Sequence, residues 1–159
     1  MHRTADKLAL QFSTGNPVTD VILNRKGQIC AQENIALDGD LLFPSELGIE
    51  AFDLGILLNN ALDNAIEACR RMTKERHRSI WIRGYAKGRM FFLVVENTCE
   101  DRMIRSENGE LQTTKMDVQG HGFGMSNMRS CAEKYYGTMQ YEVRDGMFIL
   151  TIMLQGNNI

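Results

Sequence analysis

Proline is almost missing from this chain, two among 159 residues, and long apolar runs are missing altogether. No stretch approaches the roughly 18 to 20 apolar residues that a membrane-spanning helix needs. Neither sign of charge dominates: 18 basic side chains stand against 20 acidic ones, a formal net charge of −2. That balance argues against a dedicated nucleic-acid binder, which carries a basic excess. No CxxC pair occurs among Cys30, Cys69, Cys99 and Cys131, so zinc-ribbon and thioredoxin-like chemistry has no support. A chain of this length builds its own core without disulfides, and the four thiols read as reduced. The opening Met1-His2-Arg3-Thr4-Ala5-Asp6-Lys7 is too polar for a signal peptide. Histidine is scarce too, with His2, His77 and His121 alone.

What is present suits one core-forming domain. Asn16-Pro17-Val18-Thr19-Asp20 reads as a helix start: a capping asparagine, proline at the first helical position, and an acid near the positive helix end. Val18, Val21, Ile22 and Ile29 give that helix a thin apolar stripe. Residues 36–52 read as short strand and loop, with Pro44 barred from a central strand. From Asp53 to Met72, Leu54, Leu57, Leu58, Ala61, Leu62, Ala65, Cys69 and Met72 recur at helical spacing. The opposite side of this helix carries Asn59, Asn60, Asp63, Asn64, Glu67 and Arg70.

Two hairpin patterns follow. Residues 80–83 and 90–95 flank Lys87-Gly88, and residues 138–143 and 147–154 flank Asp145-Gly146. Between them lie a polar stretch, Cys99 to Gln119, and a helix expected from about Gly124 to Tyr136 with Gly137 closing it. A polar loop of that length inside a compact domain is often a lid. The order predicts an α+β fold, a two-layer α/β sandwich whose mixed, mostly antiparallel sheet is covered on one face by about three helices.

Three groups could carry chemistry. Asn60 and Asn64 lie one helical turn apart, and a carboxamide oxygen suits Mg²⁺; asparagines also merely decorate wet helix faces. Gly120-His121-Gly122-Phe123-Gly124 can bring backbone N–H groups up to an anion at a helix start, although flexible turns collect glycine as well. The run is neither a P-loop, since no GKS or GKT follows, nor a Rossmann turn, since no βαβ unit surrounds it. Asn97, where a strand ends, can meet a base edge or start a turn. Eight of the 18 basic residues fall between Arg70 and Arg89, best read as cations at a helix C-terminus and on a hairpin rather than a nucleic-acid patch.

In this order, the three groups resemble the Bergerat-type (GHKL) ATPase superfamily of gyrase, MutL and sensor histidine kinases. Asp63-Asn64-Ala65-Ile66-Glu67-Ala68 looks like its N box, and Gly120-His121-Gly122-Phe123-Gly124-Met125 like its second glycine box. Within the superfamily the chain is most similar to catalytic domains of quorum-sensing-type (Agr-like) sensor kinases, through Gly15-Asn16-Pro17-Val18, residues 58–68, and Lys115 ahead of the glycine run. The resemblance covers roughly residues 14–155. It implies an ATP-binding catalytic domain at 14–159, preceded by a remnant of a helical dimerisation and phosphoacceptor segment at 1–13.

By resemblance, Asn64 holds Mg²⁺, Asn60 assists beside the metal and phosphates, and Lys115, Gly120, His121, Gly122, Phe123, Gly124 and Met125 surround the triphosphate. The superfamily's first glycine box is absent; Glu96-Asn97-Thr98-Cys99-Glu100 stands there instead, so Asn97 replaces the aspartate that meets the adenine amino group. Where the gyrase branch has a water-activating glutamate, Asn60 cannot take a proton, which favours phosphoryl transfer over hydrolysis. None of the three histidines looks like a phosphoacceptor, so that histidine is expected on a separate domain. The implied partners are that helical domain and a response regulator, with no nucleic acid. A cytoplasmic location is implied, with any membrane anchor in the rest of a longer protein. A hydrolysing ATPase of the gyrase–MutL branch and a degenerate interaction domain are the other readings.

Overall fold

In the computed structural model, residues 12–73, 75–100, 104–105, 111–112 and 115–157 are described, with backbone alone at 104–105, 111–112 and 115–123. Helix α1 (Pro17–Gln32) starts where the sequence places it: the Asn16 side chain accepts from the N–H groups of Val18 and Thr19. Those are donors that every helix start leaves without a partner. The buried stripe of α1 differs from expectation. Leu23, Cys30 and Thr19 are buried, Ile22 and Ile29 pack partly on the core, and Val18 and Val21 are exposed. Helix α2 (Ala51–Arg71) begins slightly early, and all of its expected core residues are buried.

Five strands form the main sheet: β1 (Ala36–Leu41), β2 (Ser79–Lys87), β3 (Met90–Thr98), β6 (Thr138–Arg144) and β7 (Met147–Gln155). Two short strands, β4 (Ile104–Arg105) and β5 (Leu111–Gln112), pair separately. The sheet order is β1-β2-β3-β7-β6, antiparallel except for the β1–β2 pair. A parallel pair needs a crossover, and α2 supplies it. The second hairpin turns through Asp145 and Gly146 with φ of 53° and 75°, the left-handed pair that a tight two-residue turn requires. Along β3 and β7 burial alternates, so Phe91, Leu93, Val95, Leu150, Ile152 and Leu154 meet the helices. The expected two-layer α+β sandwich is the observed fold.

Helix α3 (Lys115–Lys134) corrects one boundary: it begins nine residues before Gly124, so the glycine run lies within helix rather than in a loop ahead of it. A helical backbone satisfies its own N–H groups, whereas an open loop leaves them to find partners. Together with β4 and β5, this also shortens the span expected to be a lid; its residues 101–103, 106–110 and 113–114, and 1–11 of the expected N-terminal segment, lie outside the described residues. Met128, Ala132 and Tyr135 face the core. The helix closes at Tyr136, whose φ is 52°, and Gly137 returns its N–H to the Ala132 carbonyl. Glycine is required at 137 for another reason: a Cβ there would stand 1.9 Å from the Met153 carbonyl oxygen.

Candidate functional site

The polar side of α2 is the spine of the site. Asn60 and Asn64 are both half-buried on it. Asn60 Nδ2 donates to the Ile56 carbonyl at 2.8 Å, which commits the nitrogen to the preceding turn and leaves Oδ1 as the outward end. That oxygen faces α3, for a Cβ built on Gly124 would lie 3.5 Å from it. The asparagine pair and the end of the glycine run therefore meet in space. Met125 packs partly on the core. The side chains of Lys115, His121 and Phe123, and the surroundings of Gly120 and Gly122, lie outside the described residues.

Asn97 marks the other end. It is 1% exposed and points to the helical layer in series with Phe91, Leu93 and Val95. Its Nδ2 donates to the Thr98 carbonyl at 3.0 Å. A carbonyl only accepts, so the nitrogen must face it and the amide oxygen is turned away. Cys69 Sγ lies 3.9 Å from that same carbonyl, which sets the end of β3 beside the last turns of α2. From Asn60 to Cys69 the helix rises about 13 Å, with Asn64 between.

Among the described residues, no three of histidine, cysteine, aspartate and glutamate gather as a metal cage. A cation here would rely on carboxamide oxygens, water and ligand oxygens, a donor set that suits Mg²⁺. Asp63, inside the asparagine-rich segment, is turned to α1 and paired with Lys26 at 2.5 Å. Of the basic cluster, Arg70 grips Glu33 with two donors and holds its carboxyl below the usual range. Arg78 donates to the Met72 carbonyl at the end of α2, and Arg83 stacks over Tyr85.

Asn60 also lines a cleft of about 770 Å³ between α1, the start of α2 and α3. Ile22, Ile56, Asn59, Asn127 and Ser130 contribute to its wall, and Val18 and Phe52 stand exposed at it. At its floor lies a group that the sequence reading missed. Asp53, 6% exposed, accepts from the Tyr135 hydroxyl and from Lys134 Nζ at 2.8 Å. Burial works against its charge, yet those two donors hold the carboxyl below its ordinary range. Burial and the bond to Asp53 push the Tyr135 phenol up to about 12. With the partners 82 positions apart in the chain and Tyr135 among core residues, no local signal could have found them.

Residues 49–155 match the GHKL domain family. Among solved structures, the catalytic domain of the histidine kinase ThkA is similar at TM-score 0.67 and 19% identity, over 91% of this chain and 93% of that one. The histidine kinase AdeS of Acinetobacter baumannii is similar at TM-score 0.63 and 18% identity, over 89% of this chain and 64% of that one. A mycobacterial sensor histidine kinase, MprB, gives TM-score 0.56 and 16% identity over 89% and 95%. At such identities the likeness is one of fold. No curated protein matches the sequence.

Proposed function

The chain belongs to the GHKL domain family, and from that premise we propose that it is the ATP-binding catalytic domain of a two-component sensor histidine kinase. It presents Mg-ATP for γ-phosphoryl transfer to a histidine on a separate helical domain, and a response regulator then receives the phosphoryl group. The observation that carries this reading is the layout along α2. Asn60 meets the glycine-bearing helix at one end, Asn97 is buried at the other, and Asn64 lies between. The quorum-sensing-type subgroup belongs to the same reading, supported by an asparagine rather than an aspartate at 97.

The roles follow from which atom each amide offers. Asn97 spends its nitrogen on Thr98, so it offers an oxygen acceptor suited to the amino group of adenine. Asn60 likewise offers Oδ1, an acceptor, which suits a cation or its bound water and not a phosphate oxygen. Asn64 and Asn60 would hold Mg²⁺, which supplies charge neutralisation between the phosphates when bound. Lys115, Gly120, His121, Gly122, Phe123, Gly124 and Met125 form the phosphate side. Residues 120–124 begin five residues into α3, beyond the four free N–H groups of its first turn. Phosphate binding by these glycines therefore requires α3 to open beyond its first turn, as far as the glycine run itself, where glycine makes the opening cheap. An amide at 60 cannot act as a base toward water, which fits transfer to a positioned histidine rather than hydrolysis.

Calorimetric titration of the chain with Mg²⁺ and a non-hydrolysable ATP analogue tests the proposal directly. Saturable binding that needs the metal is expected, and Asn64→Ala should abolish the metal dependence with circular dichroism unchanged. Absence of binding by the unaltered chain would refute it.

A further inference from the structure

Asp53 is the third residue of α2, a position from which an acid commonly reaches back to the N–H of the capping residue. That contact is completed here by a different helix. The capping N–H of Glu50 donates to Tyr135 Oη at 3.1 Å, and the Tyr135 hydroxyl in turn donates to the Asp53 carboxylate. Lys134 Nζ donates to the same carboxylate oxygen, and Cys131 Sγ reaches the Asp53 carbonyl at 3.6 Å. The start of α2 is thus finished only when the last turn of α3 is docked on it. Both Asp53 and Tyr135 are more than nine-tenths buried, so neither contact is open to free exchange with water.

Further along, the same two helices meet at the site itself, where Gly124 faces Asn60. Helix α3 is a continuous rod between Gly124 and Lys134. Pinning its last turn therefore fixes the height and rotation at which Gly124 meets Asn60. Loss of the pin lets α3 shift along α2, which moves the phosphate side of the site while leaving Asn97, held by β3, in place.

We propose that Asp53 and Tyr135 are positioning residues for the phosphate end of the nucleotide, acting through the seating of α3 on α2. The inference rests on the ATP-binding reading above. Its signature separates it from a merely structural role: the triphosphate should feel the pin and the nucleoside should not.

The test measures two ligands on the chain at a temperature where thermal melts show every variant folded. A non-hydrolysable Mg-ATP analogue is titrated by calorimetry, and adenosine is followed by NMR chemical shifts. Tyr135→Phe keeps the ring and removes only the hydroxyl; it should weaken the analogue about tenfold and leave adenosine within about twofold. Asp53→Asn should behave alike and carries the test if Tyr135→Phe does not fold, with Lys134→Met as a milder third variant. Equal losses for both ligands, or no loss for the analogue, would overturn the positioning role. Failure of the unaltered chain to bind either ligand would instead remove the ATP-binding reading and this inference with it.

Discussion

Three asparagines make up the proposed site, and two of them, Asn60 and Asn97, have one end of the amide already spoken for. Asn97 is the sharpest case, because its nitrogen is fixed by a carbonyl that cannot donate. On the proposed reading the remaining oxygen would discriminate between bases: adenine carries an amino donor and hypoxanthine does not. The unaltered chain should therefore prefer Mg-ATP to Mg-inosine triphosphate by about tenfold, the worth of one good hydrogen bond in a dry site. Asn97→Ala should bring the two affinities together, as competitive displacement of a fluorescent nucleotide would show. The identity of these asparagines was legible in the sequence, since spacing alone puts Asn60 and Asn64 on one helix face. Their polarity was not. Which amide atom points outward depends on Ile56 in one case and Thr98 in another, and those are contacts of the folded backbone.

Elements were legible where a local rule specifies them and illegible where two competing states lie close in energy. Helix α2 followed from its apolar period, and the β6–β7 hairpin from Asp145-Gly146. The start of α3 did not follow, because glycines at 120, 122 and 124 each cost a helix about 1 kcal/mol against alanine and so argue for a loop. Their near-neutrality between helix and loop has a measurable outcome. Gly122→Ala should favour the helical form by about 1 kcal/mol and so weaken Mg-ATP about fivefold, while raising helical content by circular dichroism. The contact between α2 and α3 at Asp53 has its own pH dependence. The Asp53 carboxyl is held below its unfolded value near 4, so its stabilisation is present above pH 4 and is lost as pH falls through the folded value. Tyr135, raised to about 12, contributes fully below its unfolded value near 10 and loses that contribution as pH climbs toward 12. Between those limits the pair is indifferent to pH. Tyr135→Phe should lower Tm at pH 7 by roughly 6 °C, from about 2 kcal/mol for a bond to a buried charge. Asp53→Asn should flatten the acid limb of Tm against pH, measured as the difference from the unaltered chain so that Glu33 and the other carboxylates cancel.

At the scale of the whole molecule, the sheet and its helices supply the proposed place for a nucleotide, and among the described residues the one histidine side chain is His77. His77 stands exposed beyond the C-terminus of α2, well past Cys69 and the end of the strand that carries Asn97, and it is followed by Arg78 rather than by an acid. Incubation of the chain alone with γ-labelled ATP should leave no acid-labile label and release little free phosphate. Stoichiometric labelling at His77, His2 or His121 would show that this chain contains its own acceptor. The core that supports all this encloses four cysteines, none of them in a disulfide. Burial pushes Cys30 up to about 12 and Cys131 up to about 11, and raises Cys69 as well. A thiol reagent attacks only the ionised form, so these sulfurs are silent while the layers stay together. Each alkylation event then counts one opening of the helix–sheet sandwich, with Cys30 and Cys69 reporting on α1 and α2 and Cys131 on α3. Cys30, Cys69 and Cys131 make the protein its own clock for breathing, and a bound nucleotide should slow that clock most at Cys131, whose helix carries the proposed phosphate side.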